Sequence, residues 1–136
     1  MKHLFLDTDI ILDFLGKRKP FAKWSAQIFL EAHNGQFKLY TSGNSVTIAY
    51  YILCKNEGDK KSRGLISDLL DYMSVIPVTE KILKIALHSD FQDFEDAVQH
   101  YCALTIDKIT NIITRNKRDF KKSQVKVLSP EELFTT

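Results

Sequence analysis

Leu4-Phe5-Leu6-Asp7-Thr8-Asp9-Ile10-Ile11-Leu12-Asp13 runs apolar, breaks into two carboxylates, and turns apolar again. Residues 3–6 read as a short strand with Asp7 at its carboxyl end. Residues 10–15 continue as a short helix, stopped by Gly16 and a basic turn to Pro20. Asp9 is placed to cap that helix, a role aspartate favours. Asp7 has no such simple reason to be there. A carboxylate closing an apolar strand lies next to the core, and taking it out of water is costly without a cation or hydrogen-bond donors.

Working outward, apolar residues recur at Trp24, Ile28, Phe29 and Ala32 with the period of a helix face, and Asn34-Gly35 ends that helix. Residues 37–40 read as a second strand, with Thr41-Ser42 as a helix start before residues 46–53. Leu65, Ile66, Leu69, Leu70 and Met73 form another stripe. Residues 74–78 make a strand that Pro77 keeps short or near an edge. Thr79 caps a helix carrying Ile82, Leu83 and Ala86. Asp93 caps the next, with Phe94, Ala97, Val98, Tyr101 and Leu104 inward. Residues 109–114 and 125–128 are the last two strands. Strands alternating with helices imply an α/β fold: a central, mostly parallel sheet with helices on both faces. At 136 residues, with no repeat and no Gly-, Ser- or Pro-rich linker, residues 1–136 are expected to form one domain.

In such folds ligands bind outside the carboxyl ends of the strands. That rule selects three groups of residues. Asp7 and Asp9 follow the first strand. Asp93, Glu95 and Asp96 open a helix, where acids are favoured by the dipole whatever else they do. Asn116 and Asp119 follow the strand over 109–114, in a segment that by itself would pass for a polar turn. Carboxylates gathered at one crevice suit hard cations such as magnesium and manganese, which prefer oxygen ligands and keep several waters. Such an ion polarises a phosphoryl oxygen and activates water near neutral pH.

Taken together the three groups resemble the motifs of PIN domains. Leu4 to Asp13 resembles the first motif, Asp93-Phe94-Glu95-Asp96-Ala97 the second acidic motif, and Thr114-Arg115-Asn116-Lys117-Arg118-Asp119-Phe120 the closing one. They stand in order across nearly the whole chain, and the most similar group is the single-domain PIN proteins that include VapC-like toxins. The resemblance implies a PIN-like three-layer sandwich and a metal-dependent endoribonuclease. It implies that Asp7 and Asp96 bind Mg2+ or Mn2+, that Glu95, Asn116 and Asp119 assist, and that Thr8 and Thr114 support the ligands. Arg115, Lys117 and Arg118 would lie near the scissile phosphate. Expected partners are RNA, an antitoxin protein and a second copy in a homodimer. One feature departs from the family, which commonly carries a glutamate in the helix after the second strand. Here residues 41–51 contain no acid, and by simple alignment Ile48 or a neighbour takes the place.

Two other functions fit parts of the pattern. Asp7-Thr8-Asp9 after an apolar strand also suits a haloacid-dehalogenase-type phosphatase, although the chain is short for one. Without the family glutamate, the domain could instead be a degenerate PIN module that binds RNA or protein.

Bulk properties narrow the classes further. Hydrophobic residues are 44% and charged residues 26%, the balance of a soluble globular protein. The start has no signal-peptide form and no stretch approaches the roughly 20 apolar residues of a membrane span. A cytoplasmic location is therefore expected. Cys54 and Cys102 stand far apart and read as reduced core thiols, neither a disulfide nor a zinc site. The net charge of +2 predicts no polyanion by itself. The crowding of Arg115, Lys117, Arg118, Lys121 and Lys122 is more informative, because uneven charge steers polyanions. His3, His33, His88 and His100 share no ligand spacing. Trp24, Tyr50 and Tyr51 are expected in the core or at an interface.

Overall fold

The computed structural model describes residues 1–135. Five parallel strands form one sheet in the order β3-β2-β1-β4-β5. They are β1 (Lys2–Leu6), β2 (Phe37–Ser42), β3 (Met73–Ile76), β4 (Asn111–Ile113) and β5 (Val127–Leu128). Among the described residues, seven helices accompany them: α1 (Thr8–Leu15), α2 (Ala22–His33), α3 (Gly43–Glu57), α4 (Asp59–Leu70), α5 (Glu80–Leu87), α6 (Phe94–Leu104) and α7 (Pro130–Thr135). A 3-10 turn spans Lys117–Phe120.

Alternation along the strands divides the interior into two cores, because successive side chains point to opposite faces. Leu4 and Leu6 of β1, Leu39 of β2 and Ile113 of β4 pack with Ile10, Ile11 and Leu12 of α1, Ile28 and Phe29 of α2, and Leu53 of α3. Phe5, Tyr40 and Ile112 face the other way, onto Ile82 and Ala86 of α5 and Ala97, Val98 and Cys102 of α6. The result is a three-layer sandwich, helices–sheet–helices, as the strand–helix alternation implied. Each large aliphatic side chain so buried contributes about 1.5–3 kcal/mol relative to exposure.

Several local expectations change. Asp7, not Asp9, caps α1: its carboxylate accepts from Thr8 N and the helix begins two residues earlier than expected. Asp9 lies in the first turn, its carboxylate held by other partners. Phe94 does not point inward; it is 46% exposed, because it is the first residue of α6 and lies on the wall of an open groove beside Val98, one turn before the part of that face that meets the sheet. Leu83 and Leu70 are likewise exposed, and Met73 starts β3 rather than ending a helix. Residues 43–57 are helical in spite of their β-branched and aromatic content. Ser42 accepts from Ser45 N at the start, and Gly58, at φ +78, closes the helix in a conformation that L side chains avoid. β3 ends just before Pro77, at the sheet edge. Trp24 stacks on Phe134, whereas Tyr51 is 65% exposed. Cys54 is half-buried and Cys102 buried, and both are free thiols.

β1 is central, and the chain builds outward on one side as β2 and β3 and on the other as β4 and β5. The change of direction falls between β1 and β4, where a crevice opens at the strand ends. The pairing Leu6↔Ile113 brings Asp7 and Thr114 side by side there. No described helix is long and apolar enough to cross a membrane.

Candidate active site

Asp7 is 7% exposed and its carboxylate is almost fully supplied with donors. Oδ1 accepts from Thr8 N at 2.9 Å and Oδ2 from Thr114 Oγ1 at 2.8 Å. The Gln99 amide also donates toward it. Burial raises its proton affinity and Asp9 adds to that, while the bonds from Thr114, Thr8 and Gln99 oppose the rise. Thr114, wholly buried, accepts from Asn116 N at 3.0 Å with the same hydroxyl, so one oxygen ties the closing loop to the strand-end acid.

Across the crevice, α6 begins at Asp93, which caps it by accepting from Asp96 N at 3.1 Å. Asp96 is half-buried, and its carboxyl is pushed up to about 7, first by burial and then by the charges of Asp7, Asp93, Asp119 and Glu95. Glu95 is raised by burial and by Asp7, Asp93 and Asp9. The mutual effects bring Asp7, Glu95, Asp96 and Asp119 into one electrostatic neighbourhood. Asp119 joins through the 3-10 turn, whose first bond runs from Asp119 N to Asn116 O at 3.0 Å. A cleft of about 140 Å³ is lined by Asp93, Asp96 and Asp119 on one side and by Arg118, Lys121 and Lys122 on another.

Among the described residues, no three Asp, Glu, His or Cys side chains are arranged to hold an ion by themselves. A magnesium-type ion does not require that, since it keeps several waters and takes one or two carboxylates. The donor set is all oxygen, and the proton affinity of Asp96, raised first by burial and then by the neighbouring acids, marks a carboxylate that a cation would stabilise. Asp7 and Asp96 therefore fit a hard divalent ion.

The other nominated residues go to different places. Asn116 Nδ2 donates to Asp9 Oδ2 at 3.3 Å. Arg115 turns inward: its Nε donates to Asp13 Oδ2 at 2.8 Å, Nη2 to Asp13 Oδ1 at 3.3 Å, and the guanidinium lies 3.8 Å over the Phe21 ring. Lys117 pairs with Glu132 of α7 at 2.9 Å. Of the three cations expected near the phosphate, only Arg118 lines the acidic cleft.

Two polar clusters escaped the sequence reading. One is Asp13, wholly buried, which accepts from Arg115 and from Arg18 Nε at 2.9 Å, while Arg18 Nη2 reaches Asp9 Oδ1 at 3.0 Å. The i, i+4 spacing of Asp9 and Asp13 is a signal for a shared helix face. The other joins Thr8, Ser42, Ser45 and Gln99, all at least nine-tenths buried. Gln99 follows Glu95 and Asp96 by four and three positions, and so lies one turn further along their face. Ser45, not Ile48, is the residue of α3 that reaches this cluster. Ile48 instead lines an apolar groove of about 410 Å³ with Glu95, Phe94, Leu83 and Val98.

The sequence model of the PIN domain matches residues 3–118. This chain belongs to the PIN domain family. It is 27% identical over 134 residues to Ribonuclease VapC1 of Aquifex aeolicus, covering 95% of this chain and 91% of that protein. In fold it is similar to VapBC2 of Rickettsia felis, solved bound to a DNA fragment from its promoter: TM-score 0.68, 15% identity, 93% of this chain and 98% of that one. It is also similar to VapC20 of Mycobacterium tuberculosis, described as a Sarcin-Ricin loop cleaving toxin: TM-score 0.62, 14% identity, 80% of this chain and 86% of that one. Membership in the PIN family leaves the phosphatase alternative without support.

Proposed function

We propose that this PIN domain, acting as one unit, is a divalent-metal-dependent endoribonuclease and the toxin of a toxin–antitoxin pair. The observation that carries the reading is the convergence of Asp7, Glu95, Asp96 and Asp119 at the strand-order switch, where burial first and the neighbouring carboxylates second push the Asp96 carboxyl up to about 7. The names of the PIN proteins it resembles support both the reaction and the pairing.

Asp7 and Asp96 would hold magnesium or manganese, which when bound polarises the phosphoryl oxygen and makes bound water a better nucleophile. The chain does the rest. Thr114 and Thr8 N hold the Asp7 oxygens in place, so no reorganisation is needed when charge develops. Glu95, at the rim with a raised proton affinity, accepts a proton from the attacking water. Asp119 lines the cleft, and Asn116 assists from beside it by holding the Asp9 carboxylate. Arg118, Lys121 and Lys122 engage the RNA phosphates on either side of the cut. Arg115 and Lys117 act indirectly, holding the closing loop against α1 and α7. Leu83 and Phe94, exposed beside the apolar groove, make the surface for an antitoxin or a second copy of the chain, since clustered apolar exposure marks interaction sites. We place the protein in the cytoplasm, where RNA and an antitoxin would meet it.

A second reading has a specific observation behind it. Where the family commonly carries a glutamate, this chain has the neutral Ser42–Ser45–Gln99 cluster, which suits a domain that binds RNA without cutting it. Incubation of the protein with single-stranded RNA and Mn2+ or Mg2+ separates the two. Cleavage that stops on chelation and is lost in Asp7→Asn supports the nuclease; binding without cleavage under either ion overturns it.

A further inference from the structure

The hydrogen bonds among Gln99, Ser42, Ser45 and Thr8 have only one satisfactory direction. Ser45 Oγ lies 2.7 Å from Thr8 Oγ1, Gln99 Nε2 donates to Ser45 Oγ, and Ser42 Oγ donates to Gln99 Oε1. Ser42 Oγ in turn accepts from Ser45 N at 3.0 Å. Turned the other way, the Gln99 amide would leave the wholly buried Ser42 proton only Ser45 at 3.3 Å, so Nε2 faces Ser45 and Oε1 faces Ser42. The Ser42 proton is then committed to Gln99.

That leaves the protons of Ser45 and Thr8. If Thr8 donated to Ser45, the Ser45 proton would have only Ser42 at 3.3 Å, beyond the usual O–H···O range, in a wholly buried place. A buried donor without a partner is destabilising, because its lost bonds to water are not replaced. If Ser45 donates to Thr8, the protons of the three wholly buried residues are all bonded, and the one left over is on Thr8, the only one of the four with any exposure. Thr8 is 8% exposed, adjoins Asp7, and has no second side-chain partner among the described residues.

We infer that Gln99 and Ser45 are positioning residues that force the Thr8 hydroxyl to present its proton to the strand-end crevice beside Asp7, as a donor to the phosphoryl oxygen of the RNA. This rests on the nuclease reading for its use, though not for its direction. The chain Ser42→Gln99→Ser45→Thr8 would supply a donor fixed before substrate arrives, the arrangement that stabilises developing charge best. It also gives the neutral cluster of α3 and α6 a purpose beside the acids.

Direction and use are tested separately. In the metal-free wild type, proton NMR should show the Gln99 side-chain NH2 in contact with the Ser45 β-protons and slow to exchange. Contact with Ser42 instead overturns the inference. For use, Thr8→Val should lower kcat with Mn2+ on the order of a hundredfold with KM nearly unchanged, as for loss of one transition-state donor. Thr8→Ser should restore most of it. Ser45→Ala should also lower kcat, and Ser45→Ala combined with Thr8→Val should be no worse than Thr8→Val alone. Losses that multiply, with KM rising, would show that Ser45 serves packing only and overturn the inference. A wild type inert on RNA overturns the nuclease reading and the use of the Thr8 proton, while the Gln99 contacts still decide the direction.

Discussion

Arg115 Nε donates to Asp13 Oδ2 at 2.8 Å, joining residues 102 positions apart in sequence. Asp13 is wholly buried, and its second oxygen accepts from Arg18. The pair fastens the closing loop, which carries Asn116 and Asp119, to the helix that begins at Asp7. Its consequence for the site is that the most prominent arginine of the basic segment is committed inside the protein.

Removing the buried partner should therefore be costly. Asp13→Ala strands two guanidinium groups that are partly solvated, so the loss should fall near the low end for broken buried pairs, about 3 kcal/mol. Urea unfolding monitored by circular dichroism measures it. A loss under about 1 kcal/mol would mean that the network contributes little.

Thr114→Val removes the donor to Asp7 and the acceptor for Asn116 N without changing side-chain size much. Leaving a buried carboxylate short of a donor should cost roughly 1–3 kcal/mol, and RNA cleavage should fall with it. Thr114→Ser should recover both. If the valine variant cleaves like wild type, the Asp7 carboxylate does not depend on that hydroxyl.

The raised proton affinity of Asp96 has a sign that can be checked. The folded protein holds this proton up to about 7, whereas the ordinary value is 3.8. The native state thus binds the extra proton across that window. The contribution to stability is fully present below about 4 and is lost as pH rises through about 7. Metal binding requires the ionised form, so the Mn2+-induced rise in melting temperature should grow over the same window. Glu95→Gln, by removing one of the repelling charges, should move the metal response to lower pH. Melts at several pH values, with and without Mn2+, test all three statements. A Mn2+ response that is flat from pH 5 to pH 8 would contradict them.

Among the cations, the salt dependence of RNA binding should separate those facing the cleft from those held elsewhere. Arg118→Ala, Lys121→Ala and Lys122→Ala should each weaken binding and flatten the log–log salt slope by about 0.7 for single-stranded RNA. Lys117→Ala, whose ammonium pairs with Glu132, should leave the slope unchanged. Fluorescence anisotropy of a labelled oligonucleotide with Ca2+ in place of Mn2+ reads this directly. Equal slopes for all four variants would argue against the cleft as the RNA path.

What the sequence determined by itself is the framework. Apolar runs at residues 3–6, 37–40 and 109–114, with helical periods between them, require a parallel sheet sandwiched by helices, because no other arrangement buries both faces. Topology then puts Asp7 and Thr114 at the strand ends, and the acids before α6 follow from chain order. What only the tertiary structure decided is which polar groups meet. Helix phase turned Gln99 inward, and the point at which α6 begins left Phe94 on a groove wall; propensity resolves neither. Asp9 or Asp7 as the cap was a choice between neighbours, settled when β1 and β4 aligned and Thr114 reached Asp7. Arg115 could serve a phosphate or a buried acid equally well by composition; packing put Asp13 within 2.8 Å of it. Local periodicity carries information about what must be buried, while the partners of a buried polar group lie far away in sequence, and only the folded chain brings them into reach.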